Sequence, residues 1–167
     1  MKLSETVEWS LHACVTLGLL PPGGALPAKK LSEYHDLPKA YLAKALQQLA
    51  LAGVLISLDG RSGGYRLGRA AGQITVFDIV EAVEPRSRLF VCKEIRQRGP
   101  CATESCEYTN RCNIARVMDQ AEEAWRAVLR ETTLQQLLDQ TLKDAPDKAR
   151  EKSLTWFDEK VNFRAEK

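Results

Sequence analysis

The chain has 167 residues, 44% of them hydrophobic and 28% charged, enough apolar material for the core of one small domain with an appended element. Its 24 Lys and Arg stand against 22 Asp and Glu, so the net charge of +2 by itself implies no polyanionic partner. No apolar run approaches the roughly 20 residues of a spanning helix, and Glu5, Glu8 and His12 interrupt the stretch that a secretory signal would keep apolar; a cytoplasmic protein that does not enter the membrane is expected.

Residues 4–19 read as an amphipathic helix, with Ser4 as N-cap and Val7, Leu11, Val15 and Leu19 as its apolar stripe. Pro21-Pro22-Gly23-Gly24 ends it. A short second helix covers about 28–34, His35-Asp36 is a tight turn, and Leu37-Pro38 opens a third helix that runs to about Ala52. Val54–Ser57 and Gly64–Leu67 are strand-like runs around a glycine-rich turn, which is a hairpin signal. Ile74–Val83 is helical in period, 90–112 carries Gly99-Pro100 without sustained periodicity and reads as a loop, and a long helix is expected from Asn113 to Leu142. The last 25 residues, of mixed charge and with Pro146, are expected to fray, or to set Trp156, Phe157, Val161 and Phe163 on a short amphipathic helix or an arm that grips a partner subunit.

Helix, helix, turn, helix and hairpin is the order of a winged helix-turn-helix, so the expected fold class is mainly α with a small β-hairpin wing. Between Ala28 and Arg69 seven basic residues face three acidic ones, a net +4 suited to phosphate neutralisation. Lys39, Ala40, Tyr41, Ala43 and Lys44 lie in the first turns of the third helix, within reach of base edges and phosphates. Lys29 and Lys30 begin the supporting helix, while Arg61 and Ser62 at the hairpin tip and Arg66 on its second strand complete the candidate DNA contacts. Taken singly, each Lys is also compatible with an ordinary solvated charge.

Cys14 stands alone, whereas Cys92, Cys101, Cys106 and Cys112 crowd into 21 residues. Clustered thiols in a reducing compartment point to metal binding or redox chemistry. Their spacing lacks the paired knuckles of structural zinc and suits a loop around an iron–sulfur cluster, with Arg96, Arg98 and Arg111 placed to favour thiolates. A metal-free reactive thiol cluster fits the same spacing. Glu8 and His12, one turn apart, project from one face of the first helix as either a surface pair or a pair of metal ligands. No nucleotide-binding glycine fingerprint, C-x-x-C or catalytic triad signature supports an enzyme.

Leu37-Pro38-Lys39-Ala40-Tyr41-Leu42, the wing Gly60-Arg61-Ser62-Gly63-Gly64-Tyr65-Arg66-Leu67 and the helix Ile74–Val83 with Glu84 together resemble the Rrf family of winged-helix transcription regulators, over about residues 1–140. Val7-Glu8-Trp9, Leu11-His12, Ile95-Arg96-Gln97-Arg98-Gly99-Pro100 and Ala124-Trp125-Arg126 are most similar to its redox-sensing branch. That resemblance implies a homodimer on double-stranded DNA and a 2Fe–2S cluster held by Glu8 and His12 of one subunit and Cys92 and Cys112 of the other. It also makes Trp9 a candidate redox-responsive side chain. A shell using Cys101, Cys106 and Cys112, as in iron–sulfur-status or nitric-oxide sensors, and a metal-free thiol-based repressor stay open. The expected organisation is a DNA-binding domain over 1–88, a cluster loop over 89–112, a dimerisation helix over 113–142 and a charged tail over 143–167, with a palindromic operator following from two-fold symmetry.

Overall fold

The computed structural model describes residues 3–60, 63–84, 89–100, 102 and 107–163. Among them are seven α-helices and two small antiparallel pairs of strands. The order is α1 (Glu5–Gly18), β1 (Gly24–Ala25), α2 (Ala28–His35), α3 (Lys39–Leu51), β2 (Leu55–Leu58), β3 (Gly64–Leu67), α4 (Val76–Val83), α5 (Asn113–Glu131), α6 (Leu134–Asp144), α7 (Asp147–Lys160) and β4 (Asn162–Phe163). The mainly α fold with a β-hairpin wing is as the sequence predicts.

α1 is the central strut. Its fully buried face is Val7, Ser10, Ala13, Cys14 and Leu17, rotated from the predicted stripe, with Leu11, Val15 and Leu19 half-buried beside it. The reason is packing on several sides: α3, α4 and α6 all contact α1, and small side chains at positions 10, 13 and 14 let those helices approach closely. Gly18 belongs to the same logic, because a Cβ there would lie 2.8 Å from Leu138 Cδ1 of α6. Ser4 precedes α1 but does not cap it; its hydroxyl donates to Glu84 Oε2 at 2.6 Å, tying the start of α1 to the end of α4. Leu31, Leu42, Leu46, Leu49, Ile74 and Ile79 complete the centre of the core, all fully buried.

Asp36 closes α2 in the left-handed conformation at φ 52°, a state a short polar side chain tolerates, and Pro38 stands immediately before α3. This is the turn of the helix-turn-helix. β2 and β3 pair with Leu55 opposite Leu67 and Leu58 opposite Gly64. The segment after β1 extends this hairpin, since the Leu26 and Tyr65 backbones exchange two hydrogen bonds of 3.1 and 2.8 Å. Gly64, at φ +152°, permits that approach: a Cβ would sit 2.5 Å from the Leu26 carbonyl carbon.

Two sequence expectations are corrected. The helix over 113–142 is not continuous: α5 stops at Glu131 and α6 begins at Leu134. Thr133 forms a capping box with Gln136, and Val76 N–H to Thr132 O (2.9 Å) and Leu134 N–H to Ile74 O (2.8 Å) sew the start of α6 against the start of α4, itself capped by a Thr75–Asp78 box. Nor do the described residues of the tail, 143–163, fray. α7 buries Phe157 in the core, Tyr34 stacks on Phe157 with centroids 5.5 Å apart, and β4 pairs with β1. Among the described residues no helix is long and apolar enough to cross a membrane.

Candidate functional site

The candidate DNA-reading face lies on α2, α3 and the wing. Lys39, Ala40, Tyr41 and Lys44 are exposed on the first turns of α3, and no ion pair ties Lys39 or Lys44 to another described residue. Ala43 is half-buried. Lys29 and Lys30, at the start of α2, share Glu33 at 4.0 and 2.7 Å, so part of their charge is already compensated. Arg66 is half-buried on β3, and the wing-tip candidates Arg61 and Ser62 lie outside the described residues.

The loop before α5 brings Cys92 and Cys112 close enough to influence each other's titration; both are free of disulfide, and the Cys92 thiol donates to Glu94 Oε1 at 3.8 Å. Arg96 is the residue that folds the chain back. Its Nε donates to Glu94 Oε2 (2.6 Å), its Nη2 to the Asn110 carbonyl oxygen (2.7 Å), and its guanidinium lies 4.3 Å from the centroid of the Tyr108 ring. Tyr108 returns a hydrogen bond from its hydroxyl to the Arg96 carbonyl oxygen (3.0 Å). Glu94, between Cys92 and Arg96, is held at φ 47°, a backbone state unusual for its residue type.

The two thiols differ in acidity. Cys112 sits immediately before α5, and the backbone N–H groups of Ala115 and Ile114 stabilise its thiolate, so its pKa falls below the usual thiol value. Cys92 is pulled down by the Glu94 backbone N–H, yet burial and the neighbouring Cys112 outweigh this and its net shift is upward. Cys92 therefore holds its proton more tightly than Cys112 does, and directs it to the Glu94 carboxylate. Of the nearby arginines, Arg96 pairs first with Glu94 and also interacts electrostatically with Cys112, Arg111 pairs with Asp119 at 2.7 Å, and the backbone N–H groups at the start of α5 are the larger influence on Cys112. Cys101 and Cys106 lie outside the described residues.

Glu8 and His12 are exposed on α1, on the rim of a shallow depression with Leu3, Leu11 and Val7. The His12 ring faces His35 at the end of α2, centroids 5.8 Å apart, and His35 in turn hydrogen-bonds Thr16 at 2.9 Å. Burial, followed by the proximity of His12, pushes the His35 pKa down to about 4. Trp9, beside Glu8, meets Tyr41 of α3 edge-on at 6.4 Å. The chemistry of this donor set suits a cluster with mixed ligands: two neighbouring soft thiols, plus an exposed carboxylate and imidazole one turn apart. Among the described residues of one chain, no three His, Cys, Asp or Glu side chains converge. Glu8 and His12 therefore do not join Cys92 and Cys112 in one three-residue group among the described residues.

The sequence reading missed Arg96 and Tyr108 as the clasp of the loop. Their pairing spans twelve residues of irregular chain, and no periodic pattern announces it. It also missed the Tyr34 contacts that hold α7 on α2.

A helix-turn-helix with a β-hairpin wing, followed by a cysteine-bearing loop and a long helix, defines a winged-helix transcription regulator. The chain belongs to the Rrf2 family, described as iron-dependent transcriptional regulators, whose model matches residues 3–140. It is 29% identical over 139 residues to YwgB of Bacillus subtilis (strain 168), named as a candidate HTH-type transcriptional regulator, covering 83% of this chain and 85% of YwgB. The oxidised form of Staphylococcus aureus CymR is 25% identical with a TM-score of 0.62, covering 88% of this chain and 99% of that one. IscR of T. potens (21%, TM-score 0.66, 88% and 93% covered) and CymR of B. subtilis, the global cysteine regulator (23%, 0.66, 83% and 97%), share the fold. Family and relatives are transcriptional regulators and not enzymes.

Proposed function

We propose that this Rrf2-family regulator binds a palindromic DNA operator as a homodimer and senses redox state through 2Fe–2S clusters, one per subunit. Each cluster would be held by Glu8 and His12 from one subunit and Cys92 and Cys112 from the other. The observation that carries the reading is the loop fold that brings Cys92 near Cys112, closed by the Arg96 clasp on Glu94 and Asn110 just before α5. That Glu8 and His12 do not join the two cysteines among the described residues of one chain supports sharing across a dimer. Such a cluster supplies one-electron redox chemistry, and one imidazole and one carboxylate in place of thiolates raise its potential toward cellular poise. Exposed Ile114, Val117 and Val128 on α5 support a two-fold interface that would bring loop and α1 of different subunits together.

On the DNA side, Lys39, Tyr41 and Lys44 would enter the major groove, two reading heads meeting successive grooves about 34 Å apart. Lys29, Lys30, Arg66, Arg61 and Ser62 would hold the flanking backbone. Trp9 joins the two functions, because it adjoins Glu8 in sequence and touches Tyr41 in space. A displacement at Glu8 thereby reaches the first turn of the recognition helix. Trp9→Phe is expected to leave cluster absorbance intact while narrowing the affinity difference between oxidised and reduced protein.

The test is the visible spectrum and the iron and sulfide content of anaerobically purified protein, followed by operator affinity before and after dithionite. Colour that bleaches on reduction, with about two irons per chain, lost in the Glu8, His12, Cys92 and Cys112 alanine variants but kept in those of Cys101 and Cys106, supports the proposal. Equal affinity in both redox states would sink it. The adjacency of Cys92 and Cys112 also favours a second reading, a metal-free repressor that senses oxidants by joining these two thiols, marked by colourless protein and loss of both free thiols on oxidation. Loss of colour in the Cys101 and Cys106 variants would instead mark the three-cysteine shell.

A further inference from the structure

α7 lies beyond the part of the chain matched by the family, and with α6 it encloses a cavity of about 300 Å³ against Leu19, just after α1, and Tyr34 of α2. The cavity exists because the turn between the two helices is lined by small residues. Ala145 and Ala149 leave room where larger side chains would close the gap. α7 is held in place further along, by the Tyr34–Ser153 hydrogen bond (2.8 Å) and the packing of Tyr34 between Trp156 and Phe157. The space is therefore fixed by contacts outside it.

The walls are largely apolar, and Leu142 and Leu154 at the opening are exposed. The hydroxyls on the lining are already committed: Thr141 donates to the Leu137 carbonyl oxygen and Ser153 pairs with Tyr34. The single charged group on the lining is Arg150. Its Nε donates to the Ala145 carbonyl oxygen at 2.9 Å and its Nη2 lies 3.8 Å from Asp147, an exposed partner too distant for a strong bond. The Nε–Nη2 edge is thus engaged, and the Nη1 side of the guanidinium is left to meet an anion at the rim.

From this geometry we infer that the cavity is a binding site for a small apolar monocarboxylate, its tail between Tyr34 and Leu154 and its carboxylate on Arg150. An apolar cavity of about 150 Å³ holds one benzene, so this one takes a tail of on the order of ten non-hydrogen atoms. One guanidinium and no spare hydroxyl suit a single carboxylate better than a phosphate dianion, which would draw on several donors. Because α7 rests on Tyr34 of the supporting helix α2, a ligand here sits one side chain from the DNA-reading domain.

The test uses the full chain with octanoate, octanol and octylamine, followed by ligand-observed NMR and calorimetry. Saturable octanoate binding is expected, with octylamine at least about tenfold weaker, a difference that a charge-assisted hydrogen bond accounts for. Arg150→Gln, at an exposed position, should bring octanoate down to the level of octanol. Ala149→Phe should abolish binding of both; if it impairs folding, Leu154→Glu at the mouth replaces it and should repel octanoate. Absence of saturable octanoate binding, octylamine binding as tightly as octanoate, or an Arg150→Gln variant that binds octanoate like the unaltered protein would each overturn the inference. The redox reading rests on other residues and survives or fails independently.

Discussion

Cys14 shows how far the environment of a thiol decides its use. It is fully buried in α1, and that burial pushes its pKa from 9.0 up to about 12. The thiol is neutral and inaccessible, so it should resist Ellman's reagent in the native protein while Cys92 and Cys112 react, and titrate only after denaturation. The raised value also carries a pH signature. Below pH 9 both folded and unfolded chains hold the proton; above it the unfolded chain releases it first, so stability falls as pH rises from 9 toward 12, by about 1.4 kcal/mol per unit. Urea denaturation at pH 8 and pH 10 should show that slope in the parent protein and a reduced one in Cys14→Ala. At Gly64 the constraint is steric. Its φ of +152° and the 2.5 Å approach of a Cβ to the Leu26 backbone leave Ala without a place, so Gly64→Ala should cost about 1–3 kcal/mol of stability and loosen the wing, read as faster amide exchange at Tyr65 and weaker DNA binding.

At the scale of elements, the helices announced by breakers were legible: Pro21 to Gly24, Asp36 to Pro38 and Gly53 punctuate the helix-turn-helix, and the Gly60–Gly64 stretch marks the wing. The break at Thr132–Thr133 was not, because Leu129, Leu134, Leu137 and Leu138 continue a helical spacing through it. Its local mark is the Thr133-x-x-Gln136 capping box, which periodicity ignores. Thr133→Ala should therefore cost about 1 kcal/mol by urea denaturation, with the loss felt at α4 as well, since Leu134 N–H bonds Ile74 O across the junction. α7 and the residues after it were only partly legible, as a short apolar group at Trp156, Phe157, Val161 and Phe163: the rest of the helix is mixed in charge, and one residue, Phe157, carries its burial. Only the tertiary partner Tyr34 makes it a helix with a place to dock. The candidate site divides likewise. Glu8 and His12 share a helix face that spacing alone predicts, whereas the meeting of Cys92 with Cys112 depends on Arg96 reaching Asn110 across irregular chain.

At the scale of the molecule, α5 is the element that one chain leaves unfinished. Ile114, Val117 and Val128 are each more than 60% exposed, and with Met118, Ala121 and Ala124 they form a stripe along one side of the helix. The opposite side is occupied: Arg126 and Arg130 lie 5.6 and 4.6 Å from the Phe77 ring of α4, and Glu122 accepts a hydrogen bond from the Leu89 backbone. α5 is thus fixed to its own subunit by one face and presents an apolar one to solvent. Burying each of these valines and isoleucines stabilises an interface by roughly 1.5–3 kcal/mol, and a two-fold axis would set the stripe against itself. Val117→Glu places a charge at the middle of that stripe on both copies at once. The expected result is a rise of at least about a hundredfold in the dimer dissociation constant, seen by analytical ultracentrifugation, with helix content unchanged because the side chain is exposed in the single subunit. If cluster ligands are shared between subunits, the same variant should also lose its colour even though Glu8, His12, Cys92 and Cys112 are intact. A monomer that keeps its cluster would place all the ligands in one chain and point back to the loop cysteines alone.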